Sequence, residues 1–150
     1  MKIFPSFIQQ NKTDCGPACL KIIAEYYGFV TDHTQLRTLC KTNAKGSTLL
    51  ALSKAAQKIG FDTFAVRTNY IKLLAENPFP CIALMNRRHF VVLYRIDENI
   101  IYASDPAFGL VTMGKDNFLI SWINKKNEKI KAGVLLLLQP KTSLSRNIVH

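Results

Sequence analysis

The stretch Gln9-Gln10-Asn11-Lys12-Thr13-Asp14-Cys15-Gly16-Pro17-Ala18-Cys19-Leu20 runs from a polar loop into a helix, and the rest of the chain is read from it. Asp14 suits an N-cap, and Pro17 is tolerated in a first turn because its missing amide has no intrahelical partner there. From Cys15 onward apolar residues recur at helical spacing, with Cys15, Cys19, Ile22 and Tyr26 on one face and Leu20, Ile23 and Tyr27 alongside. Gly28 supplies a C-terminal stop. Cys15 therefore falls at a helix N-terminus, where the macrodipole and the free amides favour a thiolate. The spacing fits a cysteine that merely lines a core, and it fits a nucleophile. The second reading needs a base, an orienting group and an oxyanion donor from elsewhere in the chain.

Working outward, 150 residues with 48% hydrophobic content make one domain with a proper core. The longest strongly apolar run, Val134 to Leu138, suits a buried strand and is far too short to span a bilayer. The N-terminal Met1-Lys2-Ile3-Phe4-Pro5-Ser6 lacks the apolar core of a secretory signal. Four cysteines in such a chain predict free thiols in a reducing compartment. The net charge of +10, from 20 Lys and Arg against 10 Asp and Glu, fits anionic lipid surfaces, acidic peptides or plain solubility. No RNA-binding aromatic motif, zinc spacing or helix-turn-helix pattern accompanies it, so nucleic acid is not expected as a partner.

In chain order, residues 1–14 read as an extended lead-in anchored by Phe4, Phe7 and Ile8. A short helix spans Asp32 to Cys40, capped by Thr31 or Asp32, with Leu36, Leu39 and Cys40 inward and His33 in its polar, solvent-facing first turn. Ser47 or Thr48 caps a third helix that runs to about Ile59 and stops at Gly60. Phe61 to Arg67 reads as a strand and Asn69 to Glu76 as one more helix. After Asn77-Pro78-Phe79-Pro80 the texture changes to strands: Cys81 to Met85, His89 to Ile96, Ile100 to Ser104, Leu110 to Met113 and Ala132 to Gln139. Lys115 to Trp122 has helical character, and Asn124 to Lys131 is basic and flexible. The pattern predicts an α+β fold, a helical N-terminal half packed on a C-terminal antiparallel sheet.

Three histidines are available to serve a cysteine. His150 ends a polar tail and His33 sits in a capped first turn, which leaves His89. Within the His89–Ile96 strand, alternation groups His89, Val91, Leu93 and Arg95 against Phe90, Val92, Tyr94 and Ile96. If Asp97-Glu98-Asn99 is the hairpin turn, Arg95 for example lies opposite Ile100, His89 opposite residues 106–108 and Asp105 opposite residues 90–92. His89 and Asp105 then share one end of adjacent strands, within diagonal reach. A carboxylate there orients one imidazole nitrogen and leaves the other for the thiol. Each residue also has an ordinary reading: a structural strand histidine, and an Asp-Pro pair that ends a strand. A side-chain amide just upstream of the cysteine, Gln9 or Gln10, can join the Cys15 amide in an oxyanion hole. Cys19 and Cys40 read as packing.

The stretch from Gln9 to Leu20 also resembles the signature of the bacteriocin-processing cysteine peptidases: a Gln, a short polar loop, then Asp-Cys-Gly-x-Ala-Cys-Leu. Gln9 stands six positions ahead of Cys15, as that signature requires, and this favours it over Gln10. The resemblance covers about residues 5–139 and implies a papain-like fold with the chain order Gln9, Cys15, His89, Asp105 as its catalytic set. It implies a leader peptidase that cuts a bacteriocin or lanthipeptide-type precursor after a double glycine, with no cofactor or metal. It further implies that residues 1–140 are the peptidase and 141–150 a tail or linker toward transmembrane and ATP-binding domains of a parent transporter. That places the domain on the cytoplasmic side of the bacterial plasma membrane. The alternatives are a non-cleaving docking domain, another papain-like acyl-transfer enzyme, and a metal site built from Cys15, Cys19 and His89.

Overall fold

In the computed structural model, residues 3–123 and 131–141 are described. The basic stretch at 124–130 and the tail at 142–150, His150 included, lie outside the described residues. The elements run α1 (Cys15–Tyr26), α2 (His33–Leu39), α3 (Leu49–Lys58), β1 (Phe61–Thr68), α4 (Tyr70–Glu76), β2 (Cys81–Met85), β3 (His89–Asp97), β4 (Ile100–Asp105), β5 (Gly109–Gly114), α5 (Lys115–Ile123) and β6 (Gly133–Pro140). The strands form one antiparallel sheet in the order β1-β6-β2-β3-β4-β5.

Local chemistry sets the helix starts. Asp32 accepts the Gln35 amide at the head of α2, Thr48 accepts the Ala51 amide at α3, and Asn69 accepts the Lys72 amide at α4. These caps resolve the two positions for which the sequence offered pairs of candidates. Asp14 holds the cap position of α1 but makes no side-chain cap bond, because its carboxylate is used elsewhere.

The α+β arrangement expected from the sequence is present, with helices on both faces of the sheet. One core joins α1, α2 and α3 to Ile82, Phe90, Val92, Leu136 and Leu138 on one sheet face. A second joins Tyr70, Leu73, Phe118 and Trp122 of α4 and α5 to Ala83, Val91, Leu93, Ala103 and Leu135 on the other. Helix α1 is consequently central and buried from Cys15 to Leu20 and from Ile22 to Ala24. The single stripe expected from its sequence gives way to burial on nearly every side, and Tyr26, assigned to that stripe, is 49% exposed. The edge strand β1 comes from the N-terminal half and pairs along its whole length with β6.

The hairpin of β3 and β4 fixes the geometry that matters most. Asp97 pairs with Ile100 and Arg95 with Tyr102, so the turn is the two residues Glu98 and Asn99, both at positive φ. Arg95 is therefore not opposite Ile100, since Asp97 belongs to the strand. A bulge between Leu93 and Arg95 then shifts the register to Leu93 opposite Ala103 and Val92 opposite Ser104. The extra residue reverses the alternation beyond it, which turns Ile96 to the face of Val91 and Leu93 rather than that of Phe90.

Candidate active site

The start of α1 abuts the start of β3. The Phe90 amide donates to Cys15 Sγ at 3.5 Å, and the Cys15 thiol points to the Arg88 carbonyl at 3.9 Å. Cys15 is 6% exposed and lines the cleft beside it. First-turn helix amides, that of Cys15 among them, lack intrahelical partners and remain available to an incoming oxygen.

His89 opens β3 directly after the Asn86-Arg87-Arg88 turn. Its Nε2 donates to Asp105 Oδ1 at 2.7 Å, across the end of the β3–β4 pair. The same Oδ1 accepts the Ala107 amide at 2.8 Å, which locks the carboxylate within the tight Asp105-Pro106-Ala107-Phe108 turn. With Nε2 committed, Nδ1 is the nitrogen left for the sulfur. The Asp105 hydrogen bond, then the hydrogen bond with Cys15, push the His89 imidazole up to about 9 against an opposing effect of burial. His89 is thus an imidazolium at neutral pH. A positive ring therefore stands beside the sulfur at the helix N-terminus.

Gln9 approaches from the lead-in. Its backbone amide donates to the Pro106 carbonyl at 2.7 Å, which fastens it to the turn that carries Asp105. Its side-chain Nε2 donates to the Asn11 carbonyl at 2.9 Å, and Oε1 is buried without a partner among the described residues. Nearby, the Ser104 hydroxyl donates to the Pro5 carbonyl at 2.8 Å, so the lead-in lies along the site end of β4.

A cleft of about 450 Å³ opens over the sulfur, lined by Lys12, Thr13, Cys15, Ala44, Lys45, Gly46, Ser47, Arg88 and His89. Beside it, α1 packs tightly on the loop before α3: a Cβ on Gly16 would stand 3.3 Å from the Ser47 side chain.

Two sequence expectations change here. His33 is not solvent-facing: its side chain is 10% exposed and its Nε2 donates to Asp14 Oδ2 at 3.2 Å. Asp14, expected as an N-cap, is fully buried and binds Arg37 Nε at 2.7 Å, so its carboxylate ties the loop to α2 rather than capping α1. The signal for Arg37 was present, since His33 and Arg37 are four apart on one face of α2 and a carboxylate entering an apolar core needs such partners. Cys19 and Cys40 are completely buried, as their packing role requires. Burial pushes the Cys19 thiol well above the ordinary range, with Cys15, Asp105 and Cys40 adding to it, and pushes Cys40 up to about 12. Among the described residues no group of three or more His, Cys, Asp or Glu side chains is arranged to hold a metal ion. Nor is any described helix long and apolar enough to cross a membrane.

A cysteine heading the central helix, facing an imidazole from a flanking antiparallel sheet, defines a papain-like cysteine peptidase fold. The chain belongs to the peptidase C39 family, whose sequence model matches residues 4–141. It is 30% identical over 145 residues to the lactococcin-G-processing and transport ATP-binding protein of Lactococcus lactis subsp. lactis, covering 93% of this chain and 19% of that one. It is 36% identical over 121 residues to the pediocin PA-1 transport/processing ATP-binding protein of Pediococcus acidilactici, covering 76% of this chain and 17% of that one. The chain thus spans less than a fifth of these relatives. Among solved structures it resembles a double glycine motif protease from an AMS/PCAT transporter in complex with the leader peptide (TM-score 0.83, 31% identity, 91% of each chain covered). It also resembles the peptidase domain of Streptococcus ComA (TM-score 0.81, 29% identity, 93% of this chain and all of that one covered).

Proposed function

We propose that this chain is the leader-peptidase unit of a peptide-exporting ABC transporter, a cysteine endopeptidase that cuts a bacteriocin or lanthipeptide-type precursor after a double glycine. The observation that carries the reading is the 2.7 Å bond from His89 Nε2 to Asp105, which leaves the other ring nitrogen toward Cys15. The processing and transport names of the relatives, and the leader peptide bound to the double glycine protease, support the substrate class.

In this mechanism the Cys15 sulfur attacks the carbonyl carbon of the second glycine, forming a C–S bond as the carbonyl becomes an oxyanion. The Cys15 amide and the second N–H of the Gln9 side-chain nitrogen stabilise that charge. His89 gives its proton to the leaving amine as the C–N bond breaks, and Asp105 holds the ring in place for the transfer. Water then attacks the thioester carbon, with His89 taking its proton; the C–S bond breaks, its electron pair returns to the Cys15 sulfur, and the leader leaves with a free carboxylate. Water is the sole co-reactant.

The cations Lys12, Lys45 and Arg88 suit an acidic peptide. Residues 1–140 form the peptidase in this reading, and 141–150 lead toward the transmembrane and ATP-binding domains of the parent transporter. The domain then works on the cytoplasmic side of the bacterial plasma membrane, close to the lipid surface through that parent. Mass spectrometry on a peptide carrying a helical leader, Gly-Gly and a short cargo, with reductant and chelator present, tests the proposal. Cleavage after the second glycine is expected, and its absence together with intact binding would make this a docking domain.

A further inference from the structure

Cys15 is preceded by a carboxylate that the mechanism above does not use. Asp14 is fully buried and directly precedes Cys15, whose sulfur must itself become negative. Like charges on neighbouring residues oppose one another. The side chain of Asp14 turns to α2, where Arg37 Nε binds Oδ1 at 2.7 Å and His33 Nε2 binds Oδ2 at 3.2 Å, and Asn11 Nδ2 adds a bond to Oδ2 at 3.3 Å. A carboxylate only accepts, so His33 carries its proton on Nε2. Its Nδ1 is buried with no partner among the described residues. Arg37 brings a full positive charge to the carboxylate. Burial pushes the Asp14 carboxyl up, but the Arg37 and His33 hydrogen bonds and the Arg37 charge outweigh it and hold the group below the usual carboxylate range.

We infer that Arg37 is a positioning residue for Cys15, acting through Asp14: its guanidinium cancels the charge on the residue before the nucleophile and ties the start of α1 to α2. The inference rests on Cys15 as the nucleophile. The other charged or titratable groups around that sulfur are Cys19 on α1, His89 and Arg88 at the start of β3, Asp105 on β4, and Lys12 and Lys45 across the cleft. All of them are unchanged by substitution at position 37.

The test is the pH dependence of iodoacetamide alkylation at Cys15, followed on the tryptic peptide Thr13–Lys21 with fragment ions separating Cys15 from Cys19. Arg37→Gln keeps a donor for Asp14 but loses the charge, and its profile is expected about one pH unit higher, or roughly tenfold slower at a fixed pH below the plateau. Arg37→Lys is expected to stay near wild type. The double variant Asp14→Asn/Arg37→Gln, with both charges gone, is expected to return most of the way, which a purely structural role would not allow. An Arg37→Gln profile that superimposes on wild type would overturn the inference, as would a double variant displaced as far as the single one. If neither glutamine variant folds, the pair serves folding alone and the inference fails. Alkylation needs no peptide substrate, so a protein that never cuts a leader overturns the function proposed above and leaves this profile to be judged separately.

Discussion

At the scale of single residues, the contacts around Cys15 set a hierarchy of effects. Cys15→Ala and His89→Ala are each expected to abolish leader cleavage in the mass-spectrometric assay, because no described group stands ready to replace the sulfur or the ring. Gln9→Ala should lower kcat by about a hundredfold or more through loss of one oxyanion donor, with KM little changed. Asp105→Ala should lower it through a ring no longer fixed. The pH dependence follows from the same bond. His89 gains its proton affinity from Asp105 first and Cys15 second, so the charged pair persists until pH rises through about 9. The stability this interaction contributes is fully present below about 6.5, the ordinary histidine value, and is lost as pH rises through about 9. The alkaline limb of kcat/KM is accordingly expected near pH 9, and Asp105→Asn should move it to lower pH. A limb unmoved by that substitution would remove Asp105 from its orienting role.

At the scale of elements, most of the site was legible because its parts are local or one hairpin apart. Cys15 declares its helix terminus through Asp14 and Pro17, and the His89–Asp105 pair follows from one turn and the two-residue period of a strand. What escaped the sequence needed distant information. The β3 bulge at Tyr94 leaves no mark in alternation, and Tyr94 earns its outward turn by stacking on Phe4 at 4.2 Å. The burial of His33 depends on Asp14, 19 residues away in sequence. The central position of α1 likewise depends on strands that come much later. That position makes Ile22, wholly buried against the sheet, costly to trim: Ile22→Ala should destabilise by about 2–5 kcal/mol in urea unfolding. In β6, Gly133 lies flat against the Trp122 ring, where any Cβ would overlap the indole. Gly133→Ala is expected to cost about 1–3 kcal/mol by displacing α5, read from the same unfolding curves and from Trp122 fluorescence.

At the scale of the whole molecule, the charge of +10 acts with the cleft, where Lys12, Lys45 and Arg88 line the approach to the sulfur. Cleavage of an acidic leader should therefore slow as ionic strength rises from about 0.05 to 0.5 M, mainly through kcat/KM, while a leader with its acids replaced by glutamine should show a flatter response. Identical salt curves for the two peptides would separate the charge from substrate capture. The strand order carries a different kind of consequence. The last strand among the described residues is not at an edge: β6 inserts between β1 and β2, and Phe61 pairs with Pro140. Until residue 140 has emerged from the ribosome, β1 has no neighbour, the sheet is split, and the floor beneath α1 is missing Leu136 and Leu138. Contacts that distant in sequence form slowly. A nascent chain therefore carries its cysteine through the synthesis of this whole domain before the sheet beneath α1 can close.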